Sequence, residues 1–231
     1  MSFSRSMVAS GQNGQKPIIF MWDANTAKVI GQKRLPKGCR LVTAIGISAT
    51  DKYICASDAA EKITAHIFDV DGGKAAIATV QINMKVVHLA WSPVNEQLFG
   101  TAGKDHITMC TLGSDKKVKM VKGKAKGGKI ESQCSVAWLN NKDFANHVIT
   151  GGSDGKVYHW AGDSVVKAYD CCSKGAVTSV ACRVDEKAGG EVVIAGGKDK
   201  SLTLYKFNNG LQQMWQITVD AAPLSVDLFN G

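Results

Sequence analysis

No run of about 18 apolar residues occurs in the sequence, and the first twenty residues lack a basic start followed by an apolar core. Neither a membrane span nor a secretory signal is therefore indicated, and an intracellular protein without a membrane partner is expected. The seven cysteines (Cys39, Cys55, Cys110, Cys134, Cys171, Cys172, Cys182) are odd in number, form no C-x-x-C pair and mostly sit in apolar stretches. That pattern suits reduced core thiols rather than a disulfide framework. The five histidines (His66, His88, His106, His147, His159) are dispersed, with no mixed Cys/His cluster at zinc spacing, so no metal or other cofactor is expected. Arginine is scarce as well: four (Arg5, Arg34, Arg40, Arg183) among 28 basic residues. What remains, 45% hydrophobic residues against 21% charged in 231 residues, is enough for a sizeable core.

No stretch keeps a helical period of 3.6, but one short pattern recurs five times: a small residue, a Gly/Ser/Asp turn, then alternating apolar residues. The copies are VASGQNGQKPIIFMWDANT at 8, CASDAAEKITAHIFDVDGG at 55, GTAGKDHITMCTLGSD at 100, ITGGSDGKVYHWAGDS at 149 and IAGGKDKSLTLYKFNNG at 194. With Ala9, Ala56, Thr101, Thr150 and Ala195 as anchors the spacings are 47, 45, 49 and 45. A second alternating segment precedes each of the last four copies, so each unit reads as about four short strands joined by hairpins. The expectation is an all-β fold: a β-propeller of the WD-repeat type with about five four-stranded blades, occupying residues 1–231 as one domain with partial blades at both ends. A β-sandwich of some twenty strands would not explain the register.

The turns carry Asp105, Asp154 with Gly155, and Asp199, residue types that tolerate positive φ or bond their own backbone. A large residue follows near the end of the next strand: Trp22, Phe68, Trp160 and Tyr205, with Cys110 in that place in the third copy. These side chains are expected to fill the space between stacked sheets. Met84, Trp91, Trp138, Met214 and Trp215 are read as core by the same logic.

Two motifs suggest an enzyme and lack the context for one. Gly151 to Gly155 match G-x-S-x-G, but VITGGSDGKVYHW passes from strand to strand, whereas a nucleophile elbow leads into a helix. Gly123 to Lys129 match G-x-x-x-x-G-K, but Ile130 stands where Ser or Thr should hold magnesium, and IESQCSVAW reads as a strand. The three turn aspartates are equivalent by repeat, which makes them turn formers rather than a catalytic pair. No enzyme is expected.

Seven lysines (Lys116, Lys117, Lys119, Lys122, Lys124, Lys126, Lys129) lie in DKKVKMVKGKAKGGKIES with no acidic residue between Lys116 and Lys129. Without them the chain has 21 basic and 20 acidic residues, so the net charge of +8 is local. Such a belt suits an acidic partner, held more weakly as salt rises. It contains no arginine and no aromatic residue, which argues against nucleic-acid readout and favours an acidic polypeptide. A merely solubilising loop is the alternative.

The first copy, VASGQNGQKPIIFMWDANT (8 to 26), resembles the blade-opening segment of the echinoderm microtubule-associated-protein-like family. The resemblance continues in order through ICASDAAEKITAHIFDVDGGKAAIATVQ, VVHLAWSPVNEQLFGTAGKDHITMCTL, CSVAWL, ITGGSDGKVYHWAG and IAGGKDKSLTLYKF. It implies a non-enzymatic microtubule-associated protein of the cytoplasm and cytoskeleton or the ciliary axoneme. The implied partners are tubulin or other axonemal proteins, and further propeller sequence of the same chain if this is a fragment of a first propeller. A general WD-repeat interaction scaffold without microtubule contact is the alternative. Two departures stand out. The Gly-His dipeptide common before WD blades is absent, and APLSVDLFNG (222 to 231) reads as one strand, which either closes the first blade or begins a further one.

Overall fold

The computed structural model describes residues 2–3, 6–125, 128–185 and 189–228, and these form five four-stranded antiparallel sheets in chain order. The first blade is β1 (Ser2–Phe3), β2 (Met7–Gly11), β3 (Ile18–Asp23) and β4 (Val29–Arg34). The second is β5 (Val42–Ile47), β6 (Tyr53–Asp58), β7 (Thr64–Asp69) and β8 (Ala78–Gln81). The third is β9 (Val86–Trp91), β10 (Leu98–Gly103), β11 (His106–Leu112) and β12 (Val118–Lys122). The fourth is β13 (Gln133–Trp138), β14 (His147–Gly152), β15 (Lys156–Ala161) and β16 (Ser164–Asp170). The fifth is β17 (Val177–Asp185), β18 (Gly190–Gly197), β19 (Ser201–Phe207) and β20 (Leu211–Thr218). Each sheet is a meander running from the innermost to the outermost strand.

Packing explains why strand alternation was so visible. Four separate apolar clusters fill the four gaps between consecutive blades. In β6, Ile54 and Ala56 face the first blade while Cys55 faces the third, so both faces of the strand are dry. The outermost strands β12, β16 and β20 are largely exposed. Innermost strands β5, β9, β13 and β17 line a central channel of about 470 Å³. Indole N–H groups stitch it: Trp91 donates to Gly46 O at 3.1 Å and Trp138 to Ala90 O at 2.9 Å.

The ladders correct the repeat register by one residue. Val8, Ile54, Phe99, Val148 and Val193 pair with Trp22, Phe68, Cys110, Trp160 and Tyr205, which makes Ser10 rather than Ala9 the equivalent of Ala56, Thr101, Thr150 and Ala195. The glycine at the end of β10 also has a physical cause: a Cβ on Gly103 would lie 1.8 Å from Lys85 O.

The sheets form an open arc, with packing running from each blade to the next. Among the described residues the terminal segment does not pair with the first blade. Residues 222–228 instead run along β17, where Val226 N donates to Ser179 Oγ at 3.0 Å and Thr178 Oγ1 donates to Pro223 O. The first blade has its own four strands, so no edge there was waiting for them. Trp91 and Trp138 are buried as expected, and Met84 packs at the edge of a core cluster. Met214 and Trp215 are half exposed on β20, because no further sheet covers that side of the fifth blade among the described residues.

One charged latch ties the first two blades. Lys33, 2% exposed on β4, donates to Val70 O and Gly72 O at 2.8 Å and to Gly73 O at 3.3 Å. Burial lowers its pKa, and Asp69 and Asp71 partly offset that. Lys33→Met keeps the stem but orphans the carbonyls, and should lower stability by about 2 kcal/mol in a urea titration.

Candidate interaction site

The lysine belt occupies the rim. β12 is the outer edge of the third blade, with Lys119 opposite Thr111 and Lys122 opposite Thr108. Strand alternation sends Val118, Met120 and Lys122 toward the second blade and Lys119 and Val121 toward the fourth. Val118 and Met120 pack on the core between blades two and three, consistent with that assignment. Lys116 sits in the β11–β12 turn at φ +62°, where Asp115 accepts the Lys117 N–H at 3.1 Å. After β12 the chain crosses to the fourth blade: Lys124 pairs in parallel with Ser164 beside β16.

Lys116, Lys117, Lys119, Lys122, Lys124 and Lys129 are all exposed, and Lys126 lies outside the described residues. Three of the six find carboxylates: Lys117 with Asp115 at 3.6 Å, Lys124 with Asp163 at 2.7 Å and Lys129 with Glu131 at 3.0 Å. The uninterrupted positive run of the sequence is thus half neutralised, by flanking acids and by Asp163 from another blade. Lys116, Lys119 and Lys122 carry no ion pair among the described residues, and they concentrate the remaining charge on β12 and its turn.

The expected structural residues fall in the first, third, fourth and fifth blades. Trp22 Nε1 donates to Ser10 Oγ at 2.8 Å, and fully buried Trp160 donates to Thr150 Oγ1 at 2.8 Å. Asp105 accepts the Ser132 hydroxyl at 2.9 Å, and Asp154 accepts the Tyr158 hydroxyl at 2.6 Å. Asp199 accepts the Ser173 N–H at 2.7 Å and its hydroxyl at 2.9 Å. Gly155, at φ +83°, offers its carbonyl to the N–H groups of Cys171 and Cys172. Asp154 and Asp199 therefore fasten their own hairpins, and Asp105, Gly155 and Asp199 fasten an inter-blade connector. Ser153 lies in the exposed turn between β14 and β15, with a strand on either side.

A buried trio was not legible in the sequence: Cys39, Asp58 and His66 meet although 19 and 8 residues apart. Asp58 Oδ2 accepts from His66 Nε2 at 2.7 Å and from the Cys39 thiol at 3.2 Å, while Oδ1 accepts the N–H groups of Ala60 and Thr64. Burial opposes the charge of Asp58, but these bonds outweigh it and hold its pKa below the ordinary value. Burial and the neighbouring carboxylate push the Cys39 thiol up to about 12, so sulfur stays protonated and acts as a donor. The trio forms a hydrogen-bonded clasp between the connector and the second blade.

Asp58→Asn should lower stability at neutral pH by about 2–3 kcal/mol, since bonds to a charged acceptor are replaced. The wild-type advantage is present above the unfolded carboxylate pKa of about 3.9 and is lost as pH falls through the lower folded value. Urea midpoints followed from neutral to strongly acidic pH should therefore converge.

No family model matches the chain. Across its full length it is 34% identical, over 238 aligned positions, to the ciliary WD repeat-containing protein ctxp80 of Euplotoides octocarinatus, covering 31% of that protein. It is 25% identical over 213 positions to the 77 kDa echinoderm microtubule-associated protein of Strongylocentrotus purpuratus, with 90% of this chain and 30% of that one aligned. The chain is related to the WD-repeat and echinoderm microtubule-associated proteins. The 77 kDa protein of Lytechinus variegatus aligns similarly, at 24% identity over 90% of this chain and 31% of its own. Among solved structures the β-propeller domain of Cps50 (Swd1) from Myceliophteria thermophila superimposes with a TM-score of 0.72 at 14% identity, over 93% of this chain and 69% of that one, which shows the WD-repeat fold. The propeller arc spans about a third of the length of its curated relatives. No helix among the described residues is long and apolar enough to cross a membrane.

Proposed function

We propose that the chain is a non-enzymatic scaffold that binds the acidic surface of tubulin or of an axonemal assembly through the β12 rim. The observation that carries this reading is the row of exposed lysines, with Lys116, Lys119 and Lys122 free of ion pairs among the described residues. Ammonium groups on flexible stems suit a polyanionic polypeptide, because they act as point charges that need no fixed geometry. The names of the ciliary and microtubule-associated relatives support the same class of partner and a place in the cytoskeleton or cilium.

A general scaffold without microtubule contact is the second reading, favoured by the carboxylates that already hold Lys117, Lys124 and Lys129. Co-sedimentation with intact microtubules and with microtubules stripped of their acidic tails separates the two. Pelleting that is strongest at low salt, and reduced by tail removal, supports the proposal. Absence of pelleting at low salt sinks direct microtubule contact.

A further inference from the structure

Beside the lysines lies an apolar slot between the third and fourth blades, of about 140 Å³, lined by Leu98, Met109, Val121 and Trp138 together with Asn146, Gly162 and Asp163. Its origin is the register of the outer strand. Val121 stands opposite Met109 on the side of β12 that faces the fourth blade, and Trp138 forms the far wall. Val121 is 36% exposed, so this wall reaches the surface.

Two ammonium groups belong to the slot's surroundings. Lys119 lies two residues before Val121, on the same side of the strand. Lys124 holds Asp163, the carboxylate at the slot's edge, at 2.7 Å. That carboxylate is thereby neutralised and does not repel an incoming acid. Ordinary small-molecule pockets begin near 300 Å³, so this space is too small for one, whereas a cavity of about 150 Å³ lined by apolar side chains accepts a benzene-sized group. One apolar side chain fits.

The geometry points to a two-part peptide site: the slot takes a single aromatic or branched aliphatic side chain of an acidic segment, while the segment's carboxylates lie along Lys116 and Lys119. Charge complementarity selects the occupant as an acidic polypeptide, and the slot selects the register in which it lies. This rests on the reading of the rim as an acid-binding surface and adds sequence specificity to it. A purely electrostatic rim would hold any polyanion equally; a rim with a slot holds acidic segments bearing an apolar anchor in preference.

The test uses two fluorescent glutamate-rich peptides, identical except for phenylalanine or alanine at the centre, titrated at low salt into the 231-residue chain. The phenylalanine peptide is expected to bind about tenfold more tightly, the effect of burying one such side chain in part. Val121→Trp fills the slot and should bring the phenylalanine peptide's affinity down to that of the alanine peptide, with Val121→Leu as a milder variant should the first unfold. Equal binding of both peptides by the wild-type chain, or a preference that survives filling, overturns the slot and leaves the charged rim standing. If neither peptide binds, the rim reading and the slot fall together.

Discussion

Glu191→Ala is expected to lower the stability of the arc by about 3 kcal/mol, because hydrogen bonds to a charged group are each worth roughly 1.5–3 kcal/mol and several are lost together. Glu191 is 4% exposed on β18 of the fifth blade, and it reaches into the fourth. Its carboxylate accepts the N–H of Asn140 at 2.8 Å, the side-chain amide of Asn140 at 2.8 Å and the N–H of Asn141 at 3.0 Å. Nearby, Phe144 meets Phe207 edge to face at 5.0 Å between centroids, so the loop from Asn140 to Asn146 docks by an apolar contact and a polar one. Alanine removes the polar half and leaves three donors facing an empty space. Glutamine keeps one acceptor oxygen and should cost about half as much by the same reasoning. Urea unfolding with an unchanged slope and a lower midpoint is the expected result. A loss below about 0.5 kcal/mol, ordinary for a surface change, would show that the loop docks without Glu191.

Charge reversal on the rim should have the largest effect on binding. Lys116→Glu, Lys119→Glu and Lys122→Glu together are expected to weaken attachment to an acidic protein surface by roughly ten- to a hundredfold at low salt, from exposed contacts of at most ~1 kcal/mol each. The matched triple, Lys117→Glu, Lys124→Glu and Lys129→Glu, should weaken it less, because those ammonium groups already face Asp115, Asp163 and Glu131. Both effects should shrink as salt rises, since the charges are exposed. Equal losses in the two triples would mean that the ion pairs open freely and that total charge alone governs attachment.

Much of the fold was legible because a propeller strand buries both faces, which leaves small and apolar residues alternating against their neighbours in β6, β10, β14 and β18. The one-residue slip at Ala9 arose where the turn between β2 and β3 is longer and both Ala9 and Ser10 are small. Met214 and Trp215 misled for a different reason: their pattern is that of a strand facing another sheet, and no sheet faces β20 on that side among the described residues. Lys33 and Glu191 could not be read at all. A single charge in a strand looks like a solvent-facing position until the carbonyls or amides that surround it are brought in from another blade. The rim shows the same limit, since the lysines are visible in the sequence but Asp163, which neutralises one of them, lies 39 residues beyond Lys124.

Zero-length carbodiimide coupling of the chain to microtubules, read by mass spectrometry, tests the rim most directly, because it joins only ammonium and carboxylate groups already in contact. The joined residues are expected to cluster at Lys116, Lys119 and Lys122, paired with glutamates of the acidic tubulin tails. Links arising instead from lysines of other blades, such as Lys16, Lys37 or Lys62, with none from β12 or its turn, would contradict that expectation.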